Sequence, residues 1–189
     1  GAEFGPTTVE RNDPQFLVTN RCCWWSGQSW PYATTQTLVA MQNLLRNYQQ
    51  DVVTSADYIS LLQTYAKTHR KEGRPYLAEG ANPDTGSWEG YDSYNHSEHY
   101  FHSGYTDLVI TGLVGILPAR KDVLSLHPLA PPEWDYFCLR NVRYRGRDVD
   151  IYWDRLGTRY GQGAGLTVVV DGKKLASQAD LKPLKVDLP

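Results

Sequence analysis

The hydrophobic period of this chain changes near Leu126, and that change rules out a single uniform fold class for its 189 residues. Before that point apolar residues recur at helical spacing. Leu38, Met41, Leu44, Leu45 and Tyr48 share one face of a helix that opens after Trp30-Pro31, where proline suits a first turn. Thr54 heads T-S-A-D, a capping-box-like start with Asp57 in third position; Tyr58, Leu61, Leu62, Tyr65 and Ala66 then continue the period. A third helix is expected from about His99 or Tyr100, with Tyr105, Leu108, Val109, Leu113 and Ile116 inward and Gly115 and Pro118 closing it. After the proline-rich HPLAPPEW boundary the apolar runs become short: 136–139, 142–144, 147–153 and 166–170. Arg145-Gly146, Leu156-Gly157, the glycines of 161–165 and Asp171-Gly172 punctuate them, and VVVDGKKLA reads as a hairpin. The expectation is an α + β chain, with residues 1–125 helical and residues 126–189 a small antiparallel β-sheet or sandwich domain.

Between the second and third helices runs a long segment, 71–97, rich in Gly, Asn, Asp and aromatic residues. A connection of that length inside a compact region is usually functional. A short link makes the first two helices antiparallel, and a further reversal sets the third parallel to the first. The loop before the first helix (22–31) and the loop before the third (79–97) then emerge at one end.

Five acids, Glu79, Asp84, Glu89, Asp92 and Glu98, lie in or beside that second loop among Tyr76, Trp88, Tyr91, Tyr94, Tyr100 and Phe101. Glycoside hydrolysis needs two carboxyl groups flanking the bond, and aromatic faces suit the apolar side of a sugar ring. The chain is rich in such faces, with 6 Trp and 13 Tyr against 4 Phe. The plainer alternative is a solvated acidic loop. His96, His99 and His102 recur at spacing three, which leaves open a metal-dependent hydrolase; the row lacks the glutamate placement of H-E-x-x-H, so no metal site is assigned and no cofactor is expected. Histidines there also serve as hydrogen-bond partners of hydroxyls and carboxylates.

The three cysteines, Cys22, Cys23 and Cys138, form neither a disulfide framework nor a paired metal pattern, and read as buried thiols. A formal net charge of −2 offers no reason to expect nucleic acid, and no apolar run reaches the length of a membrane span. Serine-nucleophile and phosphate-loop motifs are absent from the sequence.

Two stretches carry a resemblance. WWSGQSWPYATTQTL resembles the W-x-G-x-x-W-P motif of (α/α)6-barrel, or six-hairpin, glycosidases. RPYLAEGANPDTGSWEGYDSYNHSEHYFHSGYTDLVITGLVGI resembles their E-x-x-N-P-x-T-G segment and the late inner helix after it. The likeness is to glycoside hydrolase family 63 and the mannosylglycerate-hydrolase-like domains, and covers roughly residues 5 to 120. It implies the last helices of such a barrel followed by a small C-terminal sheet domain, an inverting glycosidase, and a carbohydrate substrate. By the resemblance Glu79 matches the catalytic base, Trp25 and Trp30 line the subsite of the bond to be cleaved, and Gln28 and Tyr32 lie nearby. Trp88, Tyr94, His96 and His99 are the further sugar-binding candidates. Relatives carry an aromatic-Ser-Trp segment where this chain has Tyr94-Asn95-His96-Ser97-Glu98-His99, so Glu89 and Glu98 stand as rivals to Glu79. The family's general acid sits on an earlier helical hairpin. The chain is therefore expected to begin in mid-protein, to need the preceding part of the same enzyme as its partner, and to be a poor catalyst alone. The resemblance leans towards a secreted or periplasmic setting. The alternative is a non-catalytic carbohydrate-binding fragment.

Overall fold

The computed structural model describes residues 1–18, 25–71, 73–87 and 103–189, with Lys71 described in its backbone alone. They form two compact units, Gly1–Leu108 and Val109–Pro189.

The first unit is built on α1 (Pro31–Asn47) and α2 (Ser55–Lys67). Pro31 starts α1 because its missing N–H costs nothing in a first turn. The buried stripe of α1 is Thr34, Leu38 and Gln42, not the wholly apolar face expected from spacing. Thr34 becomes buriable by donating its hydroxyl to the Trp30 carbonyl (2.9 Å), and Gln42 by donating its amide to the Tyr58 hydroxyl (2.9 Å). Tyr48, expected inward, caps the helix and is 68% exposed. The Thr54 capping box does form. Thr54 Oγ1 accepts from the Asp57 amide, while the Asp57 carboxylate accepts from the Thr54 amide at 2.8 Å.

Two buried tyrosines on α2 fix the direction of its neighbours. Tyr65, near the end of α2, donates to the Pro31 carbonyl at the start of α1, whereas Tyr58 meets Gln42 farther along, so the helices are antiparallel. Tyr58 also donates to the Leu108 carbonyl (2.9 Å), and the Tyr105 ring meets that of Tyr65 edge-on at 5.7 Å. These two contacts set α3 (Tyr105–Leu108) parallel to α1. Burial pushes the Tyr58 phenol up to about 12, against the pull of the Gln42 hydrogen bond. Among the described residues this helix begins at Tyr105, whose amide donates to Ser103 Oγ; the start expected at about His99 or Tyr100 lies outside them. A two-stranded ribbon, β1 (Arg70–Lys71) with β2 (Arg74–Pro75), follows α2.

The second unit opens with a π-helical stretch, Val109–Val114, that continues the chain after α3. The widened turn closes with the Gly115 amide donating to Ile110 (3.0 Å). Residues 127–130 lie against this end. The amides of His127, Leu129 and Ala130 donate to the carbonyls of Gly115, Gly112 and Leu113, satisfying groups a helix terminus would leave open. HPLAPPEW is thus a strap on a helix end within the second unit. Gly115 has φ +86, and a Cβ there would meet the His127 carbonyl carbon at 2.2 Å, so only glycine fits.

Two antiparallel sheets follow. One has the order β3 (Ile116–Leu117), β4 (Val123–Leu126), β9 (Leu184–Asp187); the other runs β5 (Tyr136–Tyr144), β6 (Arg147–Asp154), β7 (Gly165–Val170), β8 (Lys173–Gln178). Because β3 and β4 pair into this unit, it starts earlier in the chain than the composition change at Leu126. Leu124, Leu126 and Val186 from the first sheet and Val149, Ile151, Trp153, Leu166, Val168 and Val170 from the second form one apolar core. The Arg145-Gly146 and Asp171-Gly172 turns both have positive φ at both central residues, the geometry that matches strand twist in two-residue hairpins. A bulge interrupts β5 between Leu139 and Val142; Asn141 there has φ +57 and donates its amide to Asp150 Oδ1 (2.8 Å). Cys138, expected to be buried, is exposed on β5.

Asp154 ends β6, is 2% exposed, and accepts four backbone amides, from Gly157, Thr158, Arg159 and Tyr160. Burial alone would raise its pKa; the four amides outweigh that and hold it below the ordinary aspartate value. A lowered folded pKa stabilises the fold above the unfolded value and ceases to do so as pH falls through the folded one. Asp154→Asn therefore lowers the melting temperature by several degrees at neutral pH, and the loss relative to wild type shrinks at acid pH. A pH series of thermal melts checks this; a deficit that stays constant down to pH 2 contradicts it.

Candidate functional site

The loop before α1 and the loop after the ribbon meet in an antiparallel bridge between Ser29 and Ala81. The Ser29 amide donates to Ala81 O at 2.9 Å and the Ala81 amide to Ser29 O at 2.8 Å. Trp30 thereby comes beside Gly80, where a Cβ would sit 3.5 Å from the indole nitrogen. Glu79, half-buried, immediately precedes Gly80.

Local chemistry explains why the second loop holds this shape. In N-P-D-T-G, Asn82 Oδ1 accepts from the amides of Asp84 (2.9 Å) and Thr85 (3.2 Å), an Asx turn. Gly86 at φ +66 reverses the chain and donates to Asn82 O. The N-terminal segment braces the turn from outside. The Phe4 amide donates to Pro83 O, and the Phe4 ring fills the space a Cβ on Gly86 would take. Arg11 pairs with Asp84, which engages that acid at the turn.

The aromatic residues of the first loop and the opening turn of α1 divide into two kinds. Trp30 is 4% exposed, while Trp25 and Tyr32 are 49% and 42% exposed. Trp25 stacks on Trp30 with centroids 4.1 Å apart and planes 31° from parallel, and Tyr32 meets Trp25 edge-on at 6.4 Å. The result is a buried indole carrying an exposed one, with a phenol at its border. Such a surface stacks on the apolar face of a pyranose and hydrogen-bonds at its rim. Gln28 is wholly buried; its backbone carbonyl accepts from the Thr8 amide.

His69 is a residue that spacing did not single out. It follows α2, with Nδ1 2.7 Å from the Tyr65 carbonyl and Nε2 2.6 Å from Ser103 Oγ. A carbonyl only accepts, so Nδ1 carries the proton and Nε2 accepts from the serine in the neutral ring. Burial lowers its pKa, more than the Tyr65 hydrogen bond raises it. Its position just past the end of a helix was the available signal, and it was weaker than the row of three histidines.

Five site candidates are thus brought together: Trp25, Gln28, Trp30 and Glu79 on two loops joined at one bridge, and Tyr32 in the first turn of α1. Trp88, Tyr94, His96 and His99, with Glu89, Glu98 and His102, lie outside the described residues. Among the described residues no group of three or more His, Cys, Asp or Glu side chains gathers as a metal site would need. Nor is any helix among them long and apolar enough to cross a membrane.

Residues 1–103 match the family model of the mannosylglycerate hydrolase MGH1-like glycoside hydrolase domain. The chain belongs to this family. Within the MGH1-like domain, the Trp-bearing loop, the Glu79 loop and the bridge between them all fall inside the matched span. Residues 117–176 match the C-terminal domain of glycosyl hydrolase family 65. A solved structure described as a sialidase is similar over 99% of this chain, with 39% identity and a TM-score of 0.91; the match spans 17% of that chain.

Proposed function

We propose that this MGH1-like chain forms one side of a glycosidase active site, in which Glu79 is the general base of an inverting hydrolysis. The observation that carries the reading is the Ser29–Ala81 bridge, which ties the Trp25/Trp30 surface to the loop that bears Glu79. Glu79 takes a proton from water as the water oxygen bonds to the anomeric carbon. The glycosidic bond breaks on the opposite face, and the leaving oxygen takes its proton from a general acid. Inverting enzymes hold the two carboxyl groups about 6.5–9.5 Å apart to admit that water. The acid, and most of an (α/α)6 barrel wall, belong to a preceding part of the same enzyme, so the chain alone is a poor catalyst. Trp25, carried on the buried Trp30, is the sugar platform, Tyr32 is its border, the buried Gln28 supports the loop beneath it, and Trp88, Tyr94, His96 and His99 are the further sugar-binding residues of the second loop.

Time-resolved proton NMR of the complete enzyme acting on aryl glycosides tests this. The first sugar released should carry the anomeric configuration opposite to that of the substrate. Release with retained configuration contradicts the assignment of Glu79 as base, because a retaining enzyme uses the facing carboxylate as nucleophile. Absence of turnover with retained glycan affinity favours the non-catalytic binding alternative.

A further inference from the structure

The second unit carries a cavity that the glycosidase reading leaves unused. It has a volume of about 190 Å³ and is lined by Asp135, Tyr136, Asp154, Leu156, Thr158 and Arg159. Its wall is preformed: the four amides on Asp154 hold residues 157–160 in place, and the Tyr160 ring packs on Tyr152 at 5.4 Å and edge-on to Tyr136 at 6.3 Å. Two apolar groups stand open beside it, Tyr136 at 46% and Leu156 at 66% exposed. The Arg159 guanidinium lies over the Tyr136 ring at 4.2 Å and makes no ion pair among the described residues. Asp135, also in the lining, is paired with Arg155 through Nε (3.1 Å) and Nη2 (2.5 Å), both on Oδ1, which leaves its second oxygen as an acceptor.

An apolar shelf with a rim of planar donors and one acceptor matches a polyhydroxylated ring, apolar on its face and hydrogen-bonding around its edge. A charged ligand fits less well, because Asp135 and Arg159 present both signs at one opening. We propose that this cavity is an accessory binding site for a neutral pyranose, separate from the Trp25/Trp30 surface. Leu156 and the free edge of Tyr136 take the apolar side of the ring, Arg159 donates to hydroxyls, and Asp135 accepts from one.

The test is amide-resolved NMR of the intact chain titrated with the methyl glycosides of glucose, mannose and galactose. Saturable shifts at residues 156–160 are expected for at least one of them, with affinity on the order of 1 mM. Arg159→Ala and Tyr136→Ala, both at exposed positions, should each weaken those shifts by about fivefold or more, whereas Trp25→Ala leaves them unchanged. No shift at 156–160 with any of the three sugars overturns the proposal, as does a shift that survives both substitutions. Shifts confined to residues 25–32 would overturn it while supporting the glycosidase subsite, so the two readings fail separately.

Discussion

Glu79→Gln in the complete enzyme lowers turnover of a good substrate by roughly 10²–10⁴-fold, the range a positioned general base contributes. The amide keeps the size and hydrogen-bonding shape of the carboxylate but cannot accept the proton of the attacking water. Glu79 lies two residues before Ala81, whose backbone is held by the bridge to Ser29, so the substitution leaves the loop's frame intact. Substrate affinity should therefore change little while kcat falls. Steady-state kinetics on an aryl glycoside separate the two parameters. A loss of less than about tenfold in kcat transfers the role of base to Glu89 or Glu98.

The second large effect separates the two indoles. Trp30→Ala removes a side chain that is 4% exposed and lies under the Trp25 ring and beside Gly80, so it costs about 3–5 kcal/mol, the range for emptying a buried aromatic site. Trp25→Ala removes a half-exposed ring and costs much less stability, yet it strips the surface offered to a sugar. Urea unfolding followed by the helical far-UV signal, alongside affinity for a glycan substrate, checks the pair. Trp30→Ala should lower the unfolding midpoint strongly, and Trp25→Ala should weaken binding at nearly unchanged midpoint. Equal midpoints for the two would mean that Trp30 does not support the platform.

Much of this arrangement was legible before any coordinates, for reasons that differ along the chain. The start of α2 and the hairpins at Arg145-Gly146 and Asp171-Gly172 rest on local chemistry, a reciprocal cap and positive-φ turns, which neighbouring residues specify by themselves. Helix direction permitted the convergence of the Trp-bearing loop with the Glu79 loop without requiring it, and the Ser29–Ala81 bridge is where they meet. The three-stranded sheet did not, because β3 has two residues and β4 pairs with β9 across most of the second unit, a non-local match that no periodicity signals. Spacing also misjudged α1, where Thr34 and Gln42 replace apolar residues by finding hydrogen-bond partners inside, and Tyr48 points out. Cys138 failed for a related reason: its strand alternates, and it falls on an exposed position. Within the site, the Asx turn of N-P-D-T-G was readable from residue types, whereas the stacking of Trp25 on Trp30 needed the actual backbone path.

The central claim is that Glu79 deprotonates the attacking water, and azide rescue addresses it most directly. Azide attacks an anomeric carbon without giving up a proton, so an enzyme that lacks only its base accepts it as a substitute nucleophile. Glu79→Ala in the complete enzyme should recover activity as azide is added and release a glycosyl azide of inverted configuration. Activity that stays low at every azide concentration, with water-derived sugar as the sole product, would contradict the account.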